Sequence, residues 1–450
     1  MSPAHPVYLL KQLFSVLSFK TVQELAVSTR FVERERKLNA VPFLDFLFKQ
    51  GGNLSGFSLT ELCSTLMKQD IFVTKAALNK RFNENTVMFL KQIFGLLFEQ
   101  QFQQHFPSMQ LTTEIPFARV RILDGTTISL PDQCGEDYPG TVGAGVKYQI
   151  EFDYLTGRFL YIDMQPGKAG DSSAGMKRLE SVQKNDLALQ DLGYYSYNVF
   201  REIDEKGAYY VSRARSDARF YTDNPSPRYH KNGDIVKSSA YNRLILEEEI
   251  ATMERGETRE HPMVYAGKND KLPVRLVIYR LTVAEQRQRE SRIQRRAQKK
   301  SGQTKQKTKD MAGISVFMTN LPMSVPAEEV VSLYRYRWQI ELLFRTWKTD
   351  LQVDIPREMK KERWECHLYA ELIVLMLSTL ITYQLRSYFW QKKNIILSEE
   401  IAMREVAKEL KVLWRARDAT IKNTFNRLGK FLTANGRKSV KNPEIIGWMA

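Results

Sequence analysis

Apolar residues recur at helical spacing through the first part of the chain. Segments such as FLDFLFKQ (43–50) and VMFLKQIFGLLFEQQFQQHF (87–106) place large apolar side chains three and four residues apart. That spacing puts the side chains on one face of an amphipathic helix. The pattern therefore predicts a helical region over residues 1–118.

Residues 58–82 of this region have the pattern of a helix-turn-helix. Ser58 and Glu61 match a capping box, in which each side chain bonds the backbone amide of the other residue, and they predict the start of the first helix. The dipeptide at 69–70 breaks the pattern, and Thr74 is placed to cap the second helix. The basic residues of that second helix are Lys75, Lys80 and Arg81. Two ordinary packed helices are the alternative interpretation.

The period of the apolar pattern becomes two at about residue 119, as in a half-buried strand. Strand patterns come first and then alternate with helix patterns, which is typical of a mixed sheet covered by helices. The predicted strands are VRIL (120–123), KYQIEFDY (147–154), RFLYIDMQ (158–165) and AYYVSRA (208–214). The predicted helices are SSAGMKRLESVQK (172–184) and SYNVFREIDEK (196–206), with the short run DLALQ (186–190) between them.

Residues 216–312 interrupt this alternation. The strand-like segments NRLILEEEI (242–250) and LPVRLVIYRLTV (272–283) lie between polar turns, and a basic run with almost no apolar residues follows at 286–310. We predict that the basic run is a mobile arm, which has the charge to grip phosphates. A solvated linker or an exposed helix is the alternative interpretation of such a charge run.

After this interruption the pattern returns to a strand, MAGISVFMTNLP (311–322), and is mainly helical from Pro326 onward. The longest uncharged apolar run is LIVLMLSTLITYQL (372–385). It is shorter than the roughly 20 residues that span a bilayer. We therefore predict that it is a buried helix of a globular protein.

Composition adds a strong excess of positive charge. The 450 residues include 67 Lys and Arg against 51 Asp and Glu, which gives a formal net charge of +16. Such an excess favours a polyanionic partner, most often nucleic acid, with an anionic membrane surface as the competing partner. With this charge, DNA contact by the helix pair at 58–82 is favoured over ordinary packing. Three widely spaced cysteines and an N-terminus unlike a signal peptide indicate a reducing, intracellular environment.

Residues 334–351, YRYRWQIELLFRTWKTDL, combine charge with helical periodicity. On one continuous helix, four polar side chains fall within roughly a sixth of the circumference, and the apolar residues fall on another arc. The four are Tyr334, Arg337, Glu341 and Lys348. Taken alone, Arg337 and Glu341 would form an ordinary surface pair that stabilises the helix by about 0.2–0.5 kcal/mol.

The spacing Tyr-x2-Arg-x3-Glu-x6-Lys is similar to the signature of DDE transposases in the family named after bacterial insertion sequence four. Three segments N-terminal to this signature also resemble the family, and they occur in the same order as in the family. RILDGTTISLP (121–131) resembles the strand that carries the first catalytic aspartate, Asp124 in this chain. LQDLGYYS (189–196) resembles the segment of the second, Asp191. FMTNLP (317–322) resembles the strand and turn before the glutamate helix.

The resemblance implies an α/β fold with an RNase H-like catalytic core over residues 119–390, interrupted by a β-rich and basic insertion at about 216–312. It also implies a helical DNA-binding domain at 1–118 and a C-terminal helical region at 391–450, with possible dimer or DNA contacts.

The resemblance further implies the catalytic residues. Asp124, Asp191 and Glu341 would hold two Mg²⁺ ions, with Mn²⁺ as a substitute, because hard divalent ions prefer carboxylate oxygens. Residues of the glutamate helix would contact DNA beside the metal ions: Tyr334, Arg337, Trp338 and Lys348. Other carboxylates in the same region compete for the two aspartate roles: Asp132, Asp137, Asp153, Asp163 and Asp171.

The function implied is that of a transposase, acting in the bacterial cytoplasm with the nucleoid. It would bind terminal inverted repeats as a homodimer on DNA, cleave the DNA ends and join them to target DNA. No nucleotide cofactor is expected, since GTVGAG (140–145) lacks the spacing of a nucleotide-binding loop. No membrane partner is expected either. Two alternatives remain open: an RNase H-like nuclease without strand transfer, and a non-catalytic DNA-binding protein derived from a transposase.

Overall fold

The computed structural model describes most of the chain. The described residues are 6–34, 38–50, 56–103, 111, 113–215, 217–299, 313–350, 358–414, 416 and 418–438. The chain forms two compact units. The helical unit comprises Met1–Gln110, Gly125–Gly170 and Gln339–Ala450, and the sheet unit comprises Leu111–Asp124 and Asp171–Trp338.

The helices and strands are numbered in chain order. The helices are α1 Pro6–Ser15, α2 Phe19–Ser28, α3 Ala40–Lys49, α4 Leu59–Met67, α5 Lys75–Arg81, α6 Glu84–Gln103, α7 Ser172–Lys177, α8 Tyr197–Glu205, α9 Leu246–Thr252, α10 Val283–Lys299, α11 Ala327–Arg335, α12 Trp338–Asp350, α13 Lys361–Lys393, α14 Glu399–Leu413 and α15 Asp418–Asn435. The strands are β1 Arg119–Leu130, β2 Ala144–Asp153, β3 Phe159–Pro166, β4 Asp186–Gln190, β5 Tyr209–Arg213, β6 Phe220–Asp223, β7 Tyr241–Leu244, β8 Thr258–Ala266, β9 Leu272–Arg280 and β10 Ile314–Thr319.

The helix pair predicted at 58–82 is present as α4 and α5 in the helical unit. Ser58 N donates to Glu61 Oε2 at 2.7 Å, and Glu61 N donates to Ser58 Oγ at 3.2 Å, so the capping box is confirmed. Asp70 interrupts the helical path with a left-handed backbone, at φ 59°. Ala77 N donates to Thr74 Oγ1 at 3.2 Å, which confirms the second cap.

The central helix of the helical unit is α13, which packs against α6 and α14. By length and composition it could cross a membrane, but 94% of its apolar window is buried within the structure. All of residues 372–385 are buried. The predicted buried helix is therefore confirmed, and its apolar surface is covered by protein. The antiparallel hairpin β2–β3 belongs to the same unit.

The sheet unit is built on one large mixed sheet. Its strand order is β1-β4-β5-β10-β9-β8-β6-β7, where β1 contributes its first residues, up to Asp124. β1, β4 and β5 run parallel, and the remaining pairs are antiparallel. Leu187, Ala188 and Leu189 of β4 are fully buried, as is typical of a central parallel strand covered on both faces. The predicted α/β class is confirmed.

Three local predictions are wrong. The segment 242–250 is not one strand, because β7 ends at Leu244 and α9 follows it. The helix predicted over 172–184 is only the short α7, followed by a 3-10 turn. Residues 334–351 do not begin on one continuous helix: α11 ends at Arg335, a turn intervenes, and α12 starts at Trp338.

The basic run predicted as a mobile arm is helical in its first half. α10 covers residues 283–299, so the alternative of an exposed helix is the correct interpretation of that half. The prediction of a mobile arm rests on the near absence of apolar residues from the run. The helix is instead held by polar contacts, such as the hydrogen bond from Arg289 to Ser315 of β10. The second half, 300–312, lies outside the described residues.

Candidate active site

Two of the predicted catalytic carboxylates lie just beyond the paired segments of the neighbouring parallel strands β1 and β4: Asp124 is inside β1, directly after its last residue paired with β4, and Asp191 follows the last residue of β4. Leu123 of β1 is the register partner of Gln190 of β4. Asp124 and Asp191 are the next residues on each chain. Because parallel strands advance together, the two aspartates lie side by side at one edge of the sheet. Both are half-buried.

An ion-pair network at the opposite end of these strands holds their register. Asp186 of β4 is fully buried and accepts from Arg119 Nε at 2.8 Å and from Arg121 Nη1 at 3.0 Å. Arg121 is itself fully buried, and it also donates to the Ser181 carbonyl at 2.7 Å. A buried charge is tolerated only when it is paired and hydrogen-bonded in this way. The network therefore fixes which residue of β1 faces which residue of β4.

The negative charge at this edge of the sheet affects the pKa of Tyr194. Its pKa is raised, first by burial and then by the charges of Asp124, Asp171 and Asp191. Asp171 was one of the competing carboxylates, and it lies against the same loop. A side chain at Gly193 would meet Asp171 Oδ2 at 2.9 Å, so Gly193 is needed for this close approach. The charges of three acidic residues thus act on Tyr194.

Arg337 lies next to the first aspartate. Its Nη1 is 3.4 Å from Asp124 Oδ2, and the two side chains are only 13% and 21% exposed. At that distance and degree of burial the attraction is stronger than that of a surface pair. Arg337 was expected to contact DNA, and in this structure it balances the charge of Asp124.

Tyr334 is buried beside Arg337, whose guanidinium lies 5.9 Å from the centre of the tyrosine ring. Burial raises its pKa, the Arg337 cation lowers it, and Asp191 and Asp124 raise it, so that the net pKa lies above the usual value for a tyrosine. Its ring packs on Phe317 of β10 with centroids 5.2 Å apart. Its hydroxyl is buried without a hydrogen-bond partner among the described residues.

The remaining residues of the signature begin α12. Trp338 is its first residue and is 47% exposed. Glu341 lies in the first turn of α12, is half-buried and belongs to the helical unit. In that same unit, Lys348 Nζ donates to the Thr127 carbonyl at 2.6 Å. In the described part of the chain, no three or more His, Cys, Asp and Glu side chains form a group able to hold a metal ion. The grouping of Glu341 with the two aspartates stays a prediction.

The basic residues of α5 take different positions. Lys75 and Lys80 are exposed. Arg81 is half-buried, donates to the carbonyls of Phe31 at 2.8 Å and Leu38 at 3.1 Å, and lies 3.7 Å from the centre of the Phe31 ring. Its guanidinium therefore holds the loop between α2 and α3.

That loop contributes basic residues that sequence reasoning missed. Arg30 and Arg34 line a cavity of about 290 Å³ together with Lys80 and Arg81. No local motif marks the two loop arginines. A basic residue in a loop is common, and only the fold places these beside α5.

Comparison with known proteins identifies the family. Residues 115–377, more than half of the chain, match the family described as "Transposase DDE domain". The chain belongs to the DDE transposases of the insertion sequence four family. It is thus a transposase and an enzyme of DNA cleavage and transfer that uses divalent metal ions.

Relatives of this transposase match over most of its length. The transposase for insertion sequence element IS231F of Bacillus thuringiensis subsp. israelensis is 36% identical, over 93% of this chain and 89% of that protein. The IS231E transposase of Bacillus thuringiensis subsp. finitimus is 34% identical, over 95% and 91%. The IS1151 transposase of Clostridium perfringens is 30% identical, over 87% and 84%.

A solved structure also aligns with this transposase. It is described as the cryo-EM structure of piggyBac transposase synaptic complex with hairpin DNA, and the alignment covers 98% of this chain and 87% of that chain. The TM-score is 0.49 and the sequence identity is 10%. A similarity of that size supports no conclusion about this transposase.

Proposed function

We propose that this transposase binds the terminal inverted repeats of an insertion sequence, cleaves the DNA ends and joins them to target DNA. The observation that supports the proposal best is the register of β1 and β4, which sets Asp124 beside Asp191. Arg337 and Tyr334 lie at the same edge of the sheet. Paired carboxylates with an adjacent cation and a buried hydroxyl suit the handling of a phosphodiester.

The two aspartates at this edge have the donor chemistry that a divalent metal ion prefers. The donors are carboxylate oxygens, which suit Mg²⁺ or Mn²⁺ and not the softer metals. Arg337 lies beside Asp124 where a positive charge is favourable. We propose that Asp124, Asp191 and Glu341 hold two Mg²⁺ ions, which would activate the attacking oxygen and stabilise the leaving oxygen.

The DNA contacts follow from the positions of the neighbouring side chains. Arg337 would exchange Asp124 for a DNA phosphate, since charge-assisted bonds to phosphate are strong. The unpartnered Tyr334 hydroxyl would donate to the same backbone. Lys348 and the exposed Trp338 would contact DNA near its end. Each of these residues binds and orients the strand beside the carboxylates.

The helical N-terminal region at 1–118 would bind the inverted repeats. Lys75 and Lys80 are exposed and available for phosphate contact. Arg81 was predicted to join them, but its bonds to two loop carbonyls favour a positioning role. In that role it holds the loop that carries Arg30 and Arg34.

We further propose an RNase H-like core at 119–390, with the insertion at about 216–312 and a C-terminal region at 391–450 for dimer or DNA contacts. Two DNA ends must be paired, so a homodimer on DNA is expected. Phosphodiester exchange carries its own bond energy, and no nucleotide cofactor is needed. The bacterial cytoplasm, with the nucleoid, is the place of such a reaction.

The experiment is a cleavage and joining assay with the purified chain, linear DNA that carries the flanking inverted repeats, and Mg²⁺ or Mn²⁺. We expect excised ends and joined products, and we expect both to be lost in Asp124→Asn, Asp191→Asn and Glu341→Gln. The matched control is Asp217→Asn, at an exposed carboxylate paired with Arg215. Cleavage without joining would support the nuclease, and DNA binding unchanged by metal or by these variants would support the non-catalytic protein.

A further inference from the structure

The helix α10 separates its charges between two faces. Three arginines, Arg287, Arg292 and Arg295, are exposed. At about 100° per residue they fall within roughly two-fifths of the helix circumference, and they extend over about 12 Å of its axis. We call this surface the arginine face of α10.

The acidic residues of α10 are engaged elsewhere. Glu285 forms a capping box with Thr282, whose backbone N–H donates to Glu285 Oε2 at 3.0 Å, and it accepts from the Tyr279 hydroxyl at 2.8 Å. Glu290 accepts from Gln286 Nε2 at 2.7 Å, one turn away. Glu285 is therefore drawn toward the protein, and Glu290 is engaged by a side chain of its own helix.

One further arginine fastens the helix to the sheet. Arg289 donates to Ser315 Oγ at 2.7 Å and to the carbonyl of Ile314, both in β10. Burial, with help from the neighbouring Arg213, lowers the pKa of Arg289 to about 10. The hydrogen bonds to β10 offset part of the cost of burying this cation. Arg289 therefore fixes which side of α10 is turned outward.

We propose that the arginine face of α10 is a docking surface for the phosphate backbone of duplex target DNA. The inference rests on the proposed function, to which it adds a binding site for one of the two DNA partners. Duplex DNA carries one charge per about 1.7 Å, so about 12 Å of helix meets several phosphates. Guanidinium groups bind phosphate in a bidentate manner.

We take target DNA as the occupant because the sequence around a transposition target varies from site to site. Such a partner must be held mainly through its backbone, which positions the duplex without reading its bases. A rigid helix with three outward arginines offers that kind of contact. Inverted repeats, by contrast, need base contacts.

The test measures binding of the full chain to a short duplex without inverted repeats, by fluorescence anisotropy between about 50 and 200 mM salt. The variant is Arg287→Gln/Arg292→Gln/Arg295→Gln. A charge-keeping variant places Lys at the same three positions. The matched control removes three exposed lysines of α13 and α15, as Lys392→Gln/Lys422→Gln/Lys430→Gln.

We expect the triple Gln variant to bind the duplex at least tenfold more weakly. The slope of the logarithm of the binding constant against the logarithm of salt concentration should become less steep by about 2–3. This corresponds to about 0.9 for each of three phosphates that are no longer neutralised. The Lys variant should keep most of the affinity, and the control should bind nearly as well as the parent. The proposal is overturned by unchanged binding, or by an equal weakening in the control, which would show an effect of net charge alone.

Further measurements identify which DNA binds the arginine face, and they separate this inference from the proposed function. Binding to a duplex with the inverted repeat, and cleavage at its ends, should be retained in the Gln variant while joining falls. An equal weakening on repeat DNA would assign the face to the element ends and overturn the target assignment. Loss of binding to anionic lipid vesicles, with duplex binding kept, would assign a membrane surface instead. The duplex measurement decides the docking surface even if the chain neither cleaves nor joins DNA.

Discussion

Arg337 Nη1 lies 3.4 Å from Asp124 Oδ2, and both side chains are largely buried. The carboxylate proposed to hold a metal ion is thus neutralised by the arginine proposed to hold DNA. On the proposed function, a metal ion at Asp124 and the Arg337 cation would interact with the same negative charge. The two interactions would compete until Arg337 binds a DNA phosphate.

The first prediction concerns this competition. Arg337→Gln should raise the affinity of the DNA-free chain for Mn²⁺ by about tenfold, because a cation near Asp124 is removed. Strand joining should fall at the same time, because the DNA phosphate no longer has this arginine to bind. Mn²⁺ titration followed by electron paramagnetic resonance measures the affinity. Arg335→Gln, at a more exposed arginine paired with Glu285, is the control and should leave the Mn²⁺ affinity as it is. An unchanged affinity in Arg337→Gln would contradict the competition.

The second prediction concerns the buried Tyr334 hydroxyl, which has no partner among the described residues. Tyr334→Phe should leave the free energy of unfolding unchanged or raise it by about 1 kcal/mol, because an unsatisfied polar group is removed. Joining should fall by about tenfold if the hydroxyl donates to DNA. Tyr148→Phe is the matched control, since its hydroxyl is likewise buried and unpartnered among the described residues. Equal activity in the two variants would exclude the DNA contact.

The third prediction concerns the ion-pair network that sets the register of β1 and β4. Asp186→Ala leaves the buried Arg121 uncompensated and should lower the free energy of unfolding by about 3–5 kcal/mol. Urea denaturation measures this change. Asp217→Ala breaks an exposed pair with Arg215 and should cost less than about 1 kcal/mol. Similar destabilisation in both variants would show that Asp186 has no special role.

The fourth prediction concerns pH. Burial, with a contribution from Glu114, raises the pKa of Glu329 to about 7 from the ordinary value of 4.5. The folded state therefore holds a proton that the unfolded state has released between these two values. Stability should fall as the pH rises from about 4.5 to 7, by about 1–2 kcal/mol from this group. Glu329→Gln should flatten that part of the profile and be more stable than the parent at pH 8. A parallel profile in the variant would refute the assignment.

Local elements could be predicted from the sequence where their hydrogen bonds close within a few residues. The caps at Ser58 and Thr74 are examples, because each is completed three residues further along the chain. The amphipathic strands and the buried helix at 372–385 follow from periodicity. The break between α11 and α12 escaped prediction, because Tyr336 and Arg337 form a turn within a stretch that has the periodicity of one helix.

The sequence by itself determined the family, the α/β class and the identity of the candidate site residues, because spacing and periodicity are properties of the chain. Only the tertiary structure decided which of these residues meet. Asp124 and Arg337 are 213 positions apart, and Asp124 faces Asp191 only through strand register. The same holds for the arginines, since Arg81 and Arg289 are turned inward by distant carbonyls while Arg287 remains outside. The sequence shows where an arginine is, but the group it contacts depends on how distant segments pack.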